Sequence, residues 1–504
     1  MRLASSDFFM YLCCVVNDLG IMKTLQPTPV FSIFDEIRQV PRPSKHEEQI
    51  SQWLVDFAQA RHIECVRDEA MNVIMRVPAT PGYENRPGVI LQGHMDMVCE
   101  KNGDVIHDFM TEPIDAYVDG DFVKAHGTTL GGDDGIGIAM ALAAITDPSV
   151  KHPAVECLFT VDEETGLTGA MRLQDGLLTH KCLVNLDSED DGQLFIGCAG
   201  GIDTLAKMHY TTYTPCFAEP VFAMRIGVKG LMGGHSGDDI NKGRANANKI
   251  VVNFLHELRD LDFHLASIQG GNLRNAIARE AEAVFVIPEK DKHEAVVRFN
   301  HYKANMEQQF GEVEKEMLLT LDSAELPNAF IDGAKGLIQA LHDCPHGMIA
   351  MSKDMPGLVE TSTNLASVKM KKETDGREYI EVNTSQRSSV ETEKHAIKQR
   401  VEDVLKTACD EVTHGDGYPG WKPNVHSRLL QTARQAYTDL FQEEPKVLAI
   451  HAGLECGLFL EKYPYLDMVS IGPQMYGVHS PQERLSISST GRCWQWLCRI
   501  LETI

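Results

Sequence analysis

None of the 13 cysteines forms a CxxC pair, and no long basic run offsets a net charge of −25 in this chain of 504 residues. The scattered thiols, such as Cys65, Cys157 and Cys344, read as reduced, buried small residues of a cytosolic protein. Cys13 and Cys14 are adjacent, which is no zinc spacing. The missing basic run excludes a nucleic-acid partner, because a phosphate backbone would be repelled. No apolar stretch is long enough for a membrane span: Phe8–Val16 is short, lacks a small-x-small cleavage site and runs into Asn17 and Asp18. Residues 1–27 read as an N-terminal extension, with Met22 an alternative start. There is no internal repeat and no low-complexity tract.

What is present describes a soluble globular protein: 43% of residues are hydrophobic and 24% charged. The chain is too long for one ordinary core, so two domains are expected. Ser44 and Glu47 have the spacing of a capping box, and Ile50, Trp53, Leu54, Phe57 and Ala58 follow the stripe of a core-facing helix. Apolar runs at 88–93, 154–161 and 182–187 predict buried strands, with an apolar helix over 136–145 between the first two. Strands alternating with helices predict an α/β sheet covered on both faces. From about residue 204 the pattern changes to strands with one wet face beside helices, including a hairpin around Thr374-Asp375-Gly376. The α/β pattern returns near 420, so an α+β domain is predicted to be inserted into the first. Glu312–Glu316 reads as a solvated helix face.

Four acidic or histidine-bearing segments follow predicted strands or open a helix, where open α/β sheets place their ligands. They are His94-Met95-Asp96, Gly131-Gly132-Asp133-Asp134-Gly135, Asp162-Glu163-Glu164 and Asp187; His479 lies late in the chain. Imidazoles and carboxylates without thiolate suit Zn²⁺, Co²⁺ or Mn²⁺, and an Asp in a glycine-rich turn can approach two metals. Singly, each segment has a bland explanation: a strand-end hydrogen bond, a helix cap or a solvated corner. Their joint occurrence in order favours a metal site.

The segments HMD, GGDDG, VDEETG, NLDSE and GVHSP resemble the metal-site motifs of the aminoacylase/carboxypeptidase/carnosinase family of co-catalytic zinc peptidases. The resemblance covers nearly the whole chain from about residue 28. Longer segments, TTLGGDDGIG and GGHSGDDINKGRANA among them, resemble the branch that cleaves dipeptides ending in histidine. The resemblance implies a mixed-sheet dinuclear zinc peptidase catalytic domain (28–203 and 401–504) with an inserted α+β lid and dimerisation domain (204–400). It implies two divalent metal ions, a small peptide substrate, a cytoplasmic homodimer, and no nucleic-acid or membrane partner. His94 and Asp187 would hold one metal, Glu164 and His479 the other, and Asp133 would bridge them. Asp96 would orient His94, Glu163 would be the catalytic base, and a cis peptide would follow Asp133. His235 would donate to the developing oxyanion, reaching across to the other subunit in dimeric relatives. Asn275 would help hold substrate, and Arg387 would pair with its carboxylate. A glycine-rich surface loop for His235 and a solvated strand end for Arg387 are the alternatives. His451 and Glu455 are expected near the site with no assigned role.

Overall fold

The structure is a computed structural model that describes residues 22–504. The apolar run 8–16 lies outside the described residues, as do residues 1–21 of the expected extension. Among the described residues, no helix is long and apolar enough to cross a membrane. The chain forms two compact units. One runs to Gly197 and resumes over Asn424–Ala449 and Leu458–Ile504; the other comprises Cys198–Pro423 and Ile450–Gly457.

The first unit is built on strands β1 (Glu64–Arg67), β2 (Val73–Val77), β3 (Val89–His94), β4 (Val155–Thr160), β5 (Cys182–Asn185), β6 (Gln193–Cys198), β7 (Lys446–Ile450) and β8 (Asp467–Ser470). Their order across the sheet is β1-β2-β4-β3-β5-β8-β6-β7. The central strands β4, β3, β5 and β8 are parallel to their neighbours in that run. Every residue of β3 and β4 is buried, which is why these segments read as continuous apolar runs rather than alternating ones. Helices α1 (Thr28–Ile37), α2 (Glu48–Ala60) and α3 (Gly132–Thr146) belong to this unit. Helix α3 is apolar all round, and Ile136, Ile138, Met140 and Leu142 have no exposed surface. Packed against α1 and β3, each such side chain contributes about 1.5–3 kcal/mol of burial.

The expected capping box does not form. Helix α2 begins at Glu48 with no side-chain cap at Glu47. Glu47 instead accepts the N–H groups of Lys45 and Asp162, at 2.7 and 3.1 Å, while Ser44 donates to Asp96 at 2.8 Å. Both residues are drawn to tertiary partners, which override the local motif. The C-terminal helix Ile487–Thr503 is capped by Ser486, whose side chain accepts the Ser489 N–H at 3.2 Å.

The second unit carries a nine-stranded sheet, antiparallel in its registered pairs. Val359–Lys372 and Glu378–Ser388 form the hairpin expected around Asp375-Gly376. Helices Ala247–Glu257, Lys292–Phe310, Ala334–Asp343 and Glu391–Leu405 contribute with the sheet to one core that includes Phe254, Phe285, Leu365 and Ile380. The first unit resumes at Asn424, near the point at about 420 where the sequence predicts the return of the α/β pattern, and Glu411–His414 pairs with Gly200–Tyr210 within the second unit. One expectation changes here. The acidic stretch Glu312–Glu316 is not a solvated helix face: the helix ends at Phe310, and Glu314 is 2% exposed. Its carboxylate accepts the N–H groups of Met232 and Ala245, at 2.7 and 2.9 Å. It thereby ties together both ends of the loop that carries His235.

Candidate metal centre

The C-terminal ends of β3, β4 and β5 deliver His94, then Asp162-Glu163-Glu164, then Asp187, to one edge of the sheet. Asp133 enters from the start of α3, at a residue that departs from helical geometry, and the Asp133–Asp134 peptide is cis. The Asp133 carboxylate divides between two sets of side chains. Its Oδ1 lies 3.0 Å from His94 Nε2, which is also 3.3 Å from Asp187 Oδ1. Its Oδ2 lies 3.1 Å from His479 Nε2, which is also 2.9 Å from Glu164 Oε2.

Asp96 serves more than His94. Its Oδ1 faces His94 Nδ1 at 3.4 Å, a long contact. Its two oxygens also accept the N–H groups of Glu163 and Glu164, at 3.0 and 3.3 Å. It therefore fixes the turn that presents both glutamates. Asp134 is fully buried, and its carboxylate accepts the His94 N–H at 3.2 Å and the Gly137 N–H at 3.1 Å. A Cβ on Gly137 would stand 2.1 Å from that carboxylate, so the glycine after Ile136 is needed for space.

Two residues that the motifs do not contain hold the Asp133 turn from either side. Glu483, 3% exposed, accepts the N–H groups of Leu130, Gly131 and Gly132 at 2.7–3.1 Å, with Asp133 N–H at 3.5 Å. Arg42, 2% exposed, donates to the carbonyls of Met95, Asp96 and Gly131. Glu483 lies four residues beyond His479, the one signal in the sequence that could have marked it.

Carboxylates outnumber imidazoles in this space, and the electrostatics reflect it. Burial opposes a charge on His94, but Asp187, Asp133 and Asp96 raise its pKa well above the ordinary imidazole value. Hydrogen bonds to Asp133 and Glu164 push His479 up to about 11. Burial, together with Asp133, pushes Asp187 up to about 7 against the pull of His94. Burial likewise raises Glu189 to about 8, with Asp133 and Asp187 adding to it. Buried carboxylates in such excess suit a site that takes cations.

A testable consequence follows from His479. At pH 7, below the raised pKa of each imidazole, metal-free His94 and His479 each carry a proton, and Asp187 holds a further one in part. Metal ligation requires all three deprotonated. Loading chelated protein at pH 7 should release about two to three protons per subunit, and affinity should fall as pH falls. Calorimetry in buffers of different ionisation enthalpy measures this; buffer-independent heats would contradict it.

The remaining expected residues lie in the second unit. His235 Nδ1 is 3.2 Å from Asp238 Oδ2, and its Nε2 is 3.5 Å from Arg387 Nη2. Arg387 is 7% exposed, so it is no solvated strand-end charge. Asn275 has an exposed side chain, while its carbonyl accepts the Ser236 N–H at 2.8 Å. His451 is buried against Ser362, with Nε2 and Oγ 2.7 Å apart.

A sequence profile of peptidase family M20/M25/M40 matches residues 90–503. The chain belongs to this peptidase family. It is 40% identical over 487 residues to the cytosol non-specific dipeptidase of Escherichia coli K12, covering 96% of this chain and 99% of the relative. The crystal structure of an aminoacylhistidine dipeptidase from Vibrio alginolyticus superposes with a TM-score of 0.90 at 38% identity, covering 96% and 98% of the two chains. An aminopeptidase from Bacillus cereus shares the fold at 16% identity, with a TM-score of 0.60 over 95% of this chain and 99% of that one. As an M20/M25/M40 peptidase the chain is a hydrolase, and its candidate ligand group His94, Asp133 and Glu164 lies within one metal-sized cluster.

Proposed function

We propose that this protein is a cytosolic, homodimeric, dinuclear-metal dipeptidase that hydrolyses Xaa-His dipeptides, carnosine-like β-alanyl substrates among them. The observation that carries the reading is the Asp133 carboxylate, with one oxygen facing each histidine–carboxylate pair. The E. coli and Vibrio relatives support a dipeptide substrate, and the Vibrio protein supports a histidine preference.

His94, Asp187 and Asp133 Oδ1 would hold one divalent cation and His479, Glu164 and Asp133 Oδ2 another. Bound there, zinc, with cobalt and manganese as alternatives, supplies Lewis acidity and lowers the pKa of water. Glu163, placed beside Glu164 by the Asp96 hydrogen bonds, takes the proton of the attacking water and returns it to the leaving amine. His235 donates to the oxygen on which charge develops. Arg387 pairs with the substrate carboxylate and Asn275 helps to hold the peptide. Asp96 orients His94.

The name of the E. coli relative favours a second reading, a dipeptidase of broad range. Aminotripeptidase and N-acyl-amino-acid hydrolase activities use the same metal chemistry. Chelated protein reconstituted with Zn²⁺, Mn²⁺ or Co²⁺ should be assayed on Xaa-His, Xaa-Leu, tripeptide and N-acetyl substrates. The highest kcat/KM is expected for Xaa-His. Equal cleavage of Xaa-Leu would remove the histidine preference, and faster tripeptide or N-acetyl cleavage would remove the dipeptidase reading.

A further inference from the structure

Arg387 is a buried guanidinium whose donors are satisfied on one side only. Nη1 donates to the Tyr418 hydroxyl at 3.2 Å, and Nη2 lies 3.5 Å from His235 Nε2. Its Nε is buried with no hydrogen-bond partner among the described residues. Asp238, whose charge interacts with Arg387, is bonded to His235 instead. A guanidinium kept dry with an unmatched donor is poised for an anionic ligand, since a buried donor left without an acceptor is unfavourable.

Tyr418 is far more rigidly held than the contact to Arg387 alone would require. Its backbone N–H and carbonyl pair with Gly201 at 2.8 and 3.0 Å. The carbonyl also accepts from Lys394 Nζ at 2.6 Å, and Lys394 is 4% exposed. The ring passes over Gly201 and Gly453 so closely that a Cβ on either would lie 2.7 Å from ring atoms. Two glycines thus clear the space in which this hydroxyl is fixed. Burial also raises the phenol pKa, so the hydroxyl keeps its proton and presents its lone pairs to Arg387.

We propose that Tyr418 is a positioning residue: its hydroxyl locks Arg387 in the rotamer that pairs with the C-terminal carboxylate of a peptide substrate. The inference rests on the carboxylate-binding reading of Arg387 and adds a residue that sets the geometry of that pairing. Removing the hydroxyl lets the guanidinium swing, so ground-state binding of the carboxylate weakens while the chemical step is unaffected.

The test compares Tyr418→Phe, Arg387→Met and the double variant in the metal-loaded protein, on dipeptides and on the same peptides with an amidated C-terminus. Tyr418→Phe is expected to raise KM about 10-fold for the free acid, with kcat within about two-fold and the amide unchanged. In the Arg387→Met background it should add nothing. An unchanged KM in Tyr418→Phe beside a raised KM in Arg387→Met would overturn the positioning role alone. No effect in Arg387→Met would overturn the carboxylate reading and the proposal with it. An equal fall on acid and amide, as a folding defect would give, or a further KM rise in the double variant, would also refute it.

Discussion

Replacing Glu163 by Gln is expected to lower kcat by about 10²–10⁴-fold, the usual contribution of a positioned general base, while leaving about two cations per subunit. Gln keeps the size of the side chain and the backbone N–H that Asp96 accepts at 3.0 Å. The turn, and with it Glu164, should therefore stay in place. What is lost is the capacity to take a proton from water and deliver it to the amine. Steady-state kinetics with metal analysis on the same sample reads both halves of the claim. Undiminished turnover would remove Glu163 from its role as base. Lost metal would show that it acts by holding the site together.

The second large effect concerns the shared carboxylate. Asp133→Ala should empty both half-sites, because each histidine–carboxylate pair shares an oxygen of Asp133. Activity should fall to background. The adjacent Asp134→Asn is the informative contrast. Burial and its acidic neighbours raise the Asp134 carboxyl well above the usual range, so losing its charge to a neutral amide is less costly there than at an exposed carboxylate. It also accepts two backbone N–H groups that an amide oxygen can still serve in part. A loss limited to about 10–100-fold is expected, typical of a group that acts on a ligand from behind. If Asp134→Asn were the variant that lost both cations, the bridging assignment would move by one residue.

The residues of the candidate centre stand out in the sequence because all but His479 follow an apolar strand or open an apolar helix within a few residues, His479 being marked by the GVHSP motif alone. Their local setting already says which end of the sheet they occupy. His94 closes β3, and Glu164 and Asp187 lie just beyond β4 and β5. The residues that support them carry no such mark. Arg42 acts on three main-chain carbonyls and Glu483 on a row of main-chain N–H groups. Backbone partners leave no side-chain signature, so these contacts exist only once the chain has folded. Glu314 is the sharper lesson. A cluster of acids reads as surface by composition, and Glu312 and Glu316 are indeed exposed, yet Glu314 between them is buried because two N–H groups of a distant loop need an acceptor. The capping-box spacing of Ser44 and Glu47 misleads for the same reason: Asp96 and Asp162 are better partners than the helix end.

Strand β8, residues 467–470, sits between β5 and β6 in the sheet, although it is synthesised long after both. A ribosome therefore releases β1 to β6, then the whole of the second unit, before the strand that joins β5 to β6 exists. His479 and Glu483 emerge later still. During translation, at about 5–20 residues per second, the nascent chain can present His94, Asp133, Glu164 and Asp187 but cannot close the sheet or complete the second half-site. The order of the chain thus delays assembly of the candidate metal centre to the end of synthesis.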